Sequence, residues 1–175
     1  MQENLTLGTR TYVEPKILYP SSEFSVSIGN YCSMANKVKI ILAGEHHPEW
    51  VSTFPFNALD DEFKYIKGQP TSKGNVIIEH DVWIGYNATI MSGTYICSGA
   101  VIGAESVVSG FIPPYEIWAG NPARFIKRRF TRKEINKLLD IAWWNWTEEK
   151  IKKYVPLLLN TNVSQFIKTI TEEDK

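Results

Sequence analysis

The chain has 175 residues, enough for one domain with a substantial core. Its nineteen basic and nineteen acidic side chains balance to a formal charge of zero, so no global field draws it to nucleic acid or anionic lipid, and any phosphate binding must come from a local cluster. No run approaches a membrane span, the opening MQENLTLGTR lacks a leader pattern, and Cys32 and Cys97 form neither a C-x-x-C pair nor a zinc spacing, so a cytoplasmic protein with two reduced structural thiols is expected.

In chain order, Leu7–Ser22 reads as an irregular first coil and Phe24–Leu42 as a full one, with Ile28, Met34 and Ile40 six residues apart. The same six-residue period governs Val76–Phe111, where Ile78, Ile84, Ile90, Ile96, Ile102 and Val108 recur every sixth residue. Small or β-branched residues stand two places earlier, as Val82, Ala88, Thr94, Ala100 and Ser106. A period of six fits neither a helix nor one long strand. It requires a short strand and a corner per unit, the signature of a parallel β-helix whose sixth residues point inward and stack. So short a stack leaves open ends, which predicts a terminal cap and oligomerisation.

Between the two repeats, residues 43–75 break the phase. This insertion holds two of the three histidines, several aromatics and turn residues, and long excursions from a regular scaffold carry function disproportionately often. After Ile112-Pro113-Pro114 the hexads stop. From Arg124 to Lys133 six of ten residues are basic, and helices follow, marked by a capping box at Thr131 and Glu134 and by N-cap signals at Thr147 and Asn162. The expected organisation is a β-helix over 1–123, with its active-site loop at 43–75, and a helical cap over 124–175. Trp143, Trp144 and Trp146 read as packing within that cap.

Histidine is the side chain best matched to proton transfer near neutral pH, which singles out His46, His47 and His80. Four segments carry a resemblance: Gly44-Glu45-His46-His47 leading to Phe54-Pro55-Phe56, then Asp81-Val82-Trp83-Ile84-Gly85, then Ala119-Gly120-Asn121-Pro122-Ala123, then Leu139 to Trp146. From about Ile28 to Leu159 the chain resembles the xenobiotic acetyltransferases, hexapeptide-repeat enzymes that include streptogramin A and type B chloramphenicol acetyltransferases and relatives from surface-polysaccharide genes.

That resemblance implies a left-handed β-helix, a homotrimer with active sites between subunits, and acetyl-CoA as co-substrate without a metal. It implies His47 as the general base, from its seven-residue spacing to Phe54, acting by direct transfer in a ternary complex. The pantetheine arm is expected beside Trp83, Gly103, Ala104, Ser106 and Ala119, with Lys127 and Arg128 as the first candidates for the phosphates. Glu49, Trp50 and Tyr65 are the loop's candidates for the acceptor, a small hydroxyl-bearing molecule.

The short N-terminal region leans the acceptor toward a sugar hydroxyl, with an antibiotic hydroxyl as the alternative. A γ-type carbonic anhydrase would need three converging histidines, which the adjacent pair and the lone His80 do not supply. A non-catalytic trimeric β-helical scaffold is the reading from another class.

Overall fold

In the computed structural model, which describes residues 4–12, 14–68 and 70–173, the hexads build a three-walled parallel prism. The first wall stacks Leu5–Leu7, Val26–Ile28, Val76–Ile78, Tyr95–Ile96 and Phe111–Ile112. The second stacks Ser33–Met34, Trp83–Ile84, Val101–Ile102 and Glu116–Gly120, and the third Lys16–Leu18, Lys39–Ile41, Thr89–Met91 and Val107–Val108.

Register explains the period. Ile28 lies on Ile78 and Ile78 on Ile96, Ile84 on Ile102, Ile40 on Ile90 and Ile90 on Val108. These inward residues have at most 2% of their surface exposed, and burying each such side chain contributes roughly 1.5–3 kcal/mol. Cys32, Val82, Ala88, Ala100 and Ser106, two places before them, are equally buried at the corners. Burial pushes the Cys32 thiol up to about 11 and the Cys97 thiol up to about 12, which keeps both protonated and unreactive. Each corner needs a left-handed backbone, taken by Asp81, Asn87 and Glu105 and, at the same spacing, by Gly93 and Gly99. At Gly99 a Cβ would lie 2.4 Å from the Tyr115 ring, so glycine alone fits.

The second wall does not end where the composition changes. The basic strand Ala123–Arg128 turns back antiparallel on Glu116–Gly120, so the sheet runs on through residues assigned above to the cap. The antiparallel pairing and an ion pair from Arg128 to the buried Glu116 hold it there, with Ala123 buried and the rest of the strand exposed. Three helices then follow, Arg132–Ile141, Glu148–Leu158 and Val163–Glu173. The first opens on the reciprocal Thr131–Glu134 box, and Thr147 and Asn162 accept from the third backbone N–H of the next two.

The helices form a second core of Ile135, Leu138, Trp144, Tyr154, Phe166 and Ile170 with Tyr115 of the coil. Trp144 is buried in it, and its ring lies flat against His80, 5.5 Å between centroids. No helix among the described residues is long and apolar enough to cross a membrane.

Candidate active site

Residues 43–75 leave the coil after the third wall, at Ile41, and rejoin it on the first wall, at Val76. Their root is zipped shut. Glu45 and Thr71 exchange both backbone hydrogen bonds, the Ser72 hydroxyl donates to the Leu42 carbonyl, and Gly93 of the coil donates to the Gly74 carbonyl. The Glu45 carboxylate accepts from the Ser92 hydroxyl at 2.5 Å and faces Lys73 at 3.6 Å. His46 is the next residue, so its backbone starts from a fixed point.

The two adjacent histidines are held in different ways. His46 Nδ1 lies 2.6 Å from the Thr53 carbonyl oxygen. A carbonyl only accepts, so Nδ1 carries the proton and donates it, which leaves the Nε2 lone pair of the exposed ring free. His47 has Nδ1 at 2.6 Å from a Glu49 carboxylate oxygen and Nε2 at 2.7 Å from the Gly68 carbonyl. Both of its nitrogens face acceptors, and the Glu49 hydrogen bond, followed by that of Gly68, holds its pKa above the ordinary imidazole value. In this geometry both His47 nitrogens face acceptors, and the free lone pair of the two adjacent rings is that of His46 Nε2.

His80 is elsewhere. Its Nδ1 accepts from the Asn30 N–H at 2.9 Å, burial lowers its pKa, and its ring packs on the cap, a structural post. No group of three His, Cys, Asp or Glu side chains among the described residues is arranged to hold a metal.

Around the histidines the loop is apolar. Trp50 stacks on His47 with centroids 4.5 Å apart and planes 8° from parallel. Trp50, Val51, Phe54, Phe56 and Ile66 line a cup of about 280 Å³, with Ser52 and Asn57 as its polar members among the described residues. Tyr65 is exposed on the same loop, outside that lining.

The candidates for the pantetheine arm gather on the second wall. Trp83, 57% exposed, lies in register with Ser33 on one side and Val101 on the other. Beside that column runs one of small residues: a Cβ on Gly85 would meet the Ala104 backbone nitrogen at 2.5 Å, and one on Gly103 would meet the Ala119 Cβ at 2.8 Å. Only glycine fits at 85 and 103, so successive coils pack closely there, beside the exposed Trp83. Gly85 belongs with the expected set and shares the hexad phase of Gly103, so the repeat itself could have pointed to it.

Ser106 is fully buried, and its hydroxyl accepts from the Gly120 N–H at 3.0 Å. Arg128 is committed to Glu116 at 3.2 Å, whereas Lys127 stands exposed on the same strand.

The loop and the Trp83 column start from different parts of the coil. The loop leaves the corner between the third and first walls, which in a three-walled prism faces away from the second. A cavity of about 390 Å³ is at neither place: it lies under the cap helices, lined by Asp81, Arg129, Leu138, Trp143 and Phe166 among others.

Comparison with known proteins adds three findings. A family described as bacterial transferase hexapeptide (six repeats) matches residues 75–110. A chloramphenicol acetyltransferase of Klebsiella aerogenes is 44% identical over 140 residues, covering 78% of this chain and 67% of that protein, and the virginiamycin A acetyltransferase of Staphylococcus aureus is 33% identical, covering 92% and 80%. A hexapeptide-repeat acetyltransferase of Vibrio cholerae, crystallised with acetyl coenzyme A, is alike in fold, with a TM-score of 0.56, 24% identity and coverage of 74% of this chain and 62%, under two thirds, of its own.

Proposed function

The chain belongs to the xenobiotic acetyltransferases of the hexapeptide-repeat family, and from that premise we propose that it transfers acetyl from acetyl-CoA to a hydroxyl of a small apolar acceptor, with His46 as the base. The observation that carries the reading is the His46–Thr53 hydrogen bond, which fixes the tautomer and keeps Nε2 free. A general base needs that lone pair, and His47 has none to give.

Acetyl-CoA, when bound, supplies an activated thioester acetyl group. The small-residue column at Gly85, Gly103 and Ala119 fits its extended arm, Trp83 walls it, and Lys127 is the cation we assign to its phosphates. His46 Nε2 takes the proton of the acceptor hydroxyl as that oxygen bonds to the acetyl carbon. When the carbon–sulfur bond breaks, the imidazolium returns the proton to the departing sulfur.

The departure of the loop from the corner between the third and first walls, away from the Trp83 wall, supports a homotrimer in which the loop of one copy meets that wall of the next. The hand of the coil is taken as the family's left hand. Acetyl-CoA as donor and two protonated, buried thiols fit a cytoplasmic setting.

For the acceptor, the apolar cup beside Thr53 and the antibiotic named for the Klebsiella relative support an antibiotic hydroxyl. The sugar expected from the sequence is the other class to be tested. Free thiol release from acetyl-CoA is followed with chloramphenicol, streptogramin A, nucleotide sugars and simple glycosides. The expected result is turnover with an antibiotic, with His46→Ala lowering kcat by about 10²–10⁴-fold. Turnover with sugars alone overturns the acceptor class, and an active His46→Ala beside an inactive His47→Ala returns the base to His47.

A further inference from the structure

With His46 read as the base, His47 is left without a chemical step, yet it is the more heavily bonded of the pair. Its two partners are a carboxylate oxygen at 2.6 Å and a peptide carbonyl oxygen at 2.7 Å, and neither has a proton to offer. A neutral imidazole carries one N–H, so one of these contacts would set a lone pair against a lone pair. Only the imidazolium, with a proton on each nitrogen, satisfies both.

These bonds join parts of the loop 21 residues apart, the turn at 47–50 and the returning limb at Gly68. Trp50 lies flat on the imidazolium, the favourable arrangement for a cation on an indole face, and its other surroundings include Gly68, where a Cβ would sit 3.6 Å from the indole. Trp50 is in turn a wall of the apolar cup shared with Phe54 and Phe56, and Thr53, which orients His46, lies between them in the chain.

We propose that His47 is a positioning residue, a charged clasp that ties the two limbs of the loop together and fixes Trp50 as the wall against which the acceptor rests. The inference rests on the reading of His46 as base. It assigns His47 no contact with the reacting atoms. The charged group facing it is Glu49; its other neighbours are the Gly68 carbonyl, the Trp50 ring and, along the chain, His46. The upward displacement of its pKa agrees in direction, so the clasp is closed below that raised value and opens as pH climbs through it.

The test uses the full chain labelled with ¹⁵N-histidine, where three histidines give three resolvable rings and His47→Gln identifies the signal of interest. At pH 6.5, the ordinary imidazole midpoint, most His47 rings are expected to carry protons on both nitrogens, and the midpoint of the titration is expected to move down in Glu49→Gln. With the best acceptor of the panel above, His47→Ala should raise the acceptor KM about tenfold, the size of one charge-assisted hydrogen bond, while kcat stays within about twofold. His47→Arg, a permanent cation with donors of its own, should recover the low KM and remove its rise at alkaline pH.

A His47 that is mostly neutral at pH 6.5, or an acceptor KM unmoved by His47→Ala, overturns the clasp while leaving His46 as base. Loss of kcat in His47→Ala together with an active His46→Ala overturns the base assignment instead. The ring protonation is read without any acceptor, so it decides the charge of the clasp even where turnover fails.

Discussion

The coil and the loop inserted into it are held by different physics. In the coil each inward isoleucine is buried against its equivalent on the next turn, and the stabilisation is spread over many similar contacts. In the loop Trp50, Val51, Phe54, Phe56, Leu59 and Tyr65 stand exposed, and the shape depends on a few hydrogen bonds at named atoms of Glu45, His46 and His47. A change in the coil should therefore show as lost stability, and a change in the loop as altered chemistry on an intact scaffold.

The sharpest way to break that contrast is to truncate one β-branched side chain in each to alanine. Ile102→Ala, in the fully buried stack, should cost about 2–5 kcal/mol in a denaturant titration. Val51→Ala, fully exposed on the loop, should stay within about 0.5 kcal/mol. Equal effects would mean that the loop is packed in solution as tightly as the coil.

A second comparison uses pH. Burial pushes the Asp81 carboxyl, on a coil corner, up to about 6 despite Arg129 at 3.7 Å. The folded chain therefore binds this proton more tightly than the unfolded chain, and the ionised form costs stability above about pH 6, a cost that fades toward the ordinary aspartate value of about 4. Asp81→Asn should stabilise the protein by roughly 1–3 kcal/mol at pH 7.5, with the gain closing across that window on acidification. Thermal melts of both proteins between pH 4 and pH 8 measure it. A loop titration such as that of His47 should move acceptor KM and leave the melting temperature in place.

The smallest expected effect separates two neighbours on one strand. Lys127→Ala should raise the KM for acetyl-CoA about fivefold, the worth of one exposed charge pair, with little change in stability. Arg128→Ala, which strips the partner from the buried Glu116, should do the reverse. Initial rates and melts on the two variants decide whether the expected pair acts together or is divided.

Much of the fold was legible because a β-helix repeats its environment every sixth residue. A strict hexad from Ile78 to Val108 can be read without knowing any contact, and the interrupted phase exposed the insertion. The cap boundary was less legible, since the basic run is exposed throughout and carries no two-residue alternation to mark a strand, and only the pairing with Glu116–Gly120 reveals one. Gly85 was within reach, through the phase it shares with Gly103. Ser106 and Arg128 look available in the sequence, yet each is committed to a partner, Gly120 and Glu116, that arrives from another strand.

The sequence by itself determined the repeat, the place of the histidine loop and the family, because each depends on side-chain identity at fixed spacing. Which of two adjacent histidines has a free lone pair was decided by tertiary structure alone. That choice turns on backbone carbonyls of Thr53 and Gly68, which every residue type carries and which only the folded loop brings to a particular ring nitrogen.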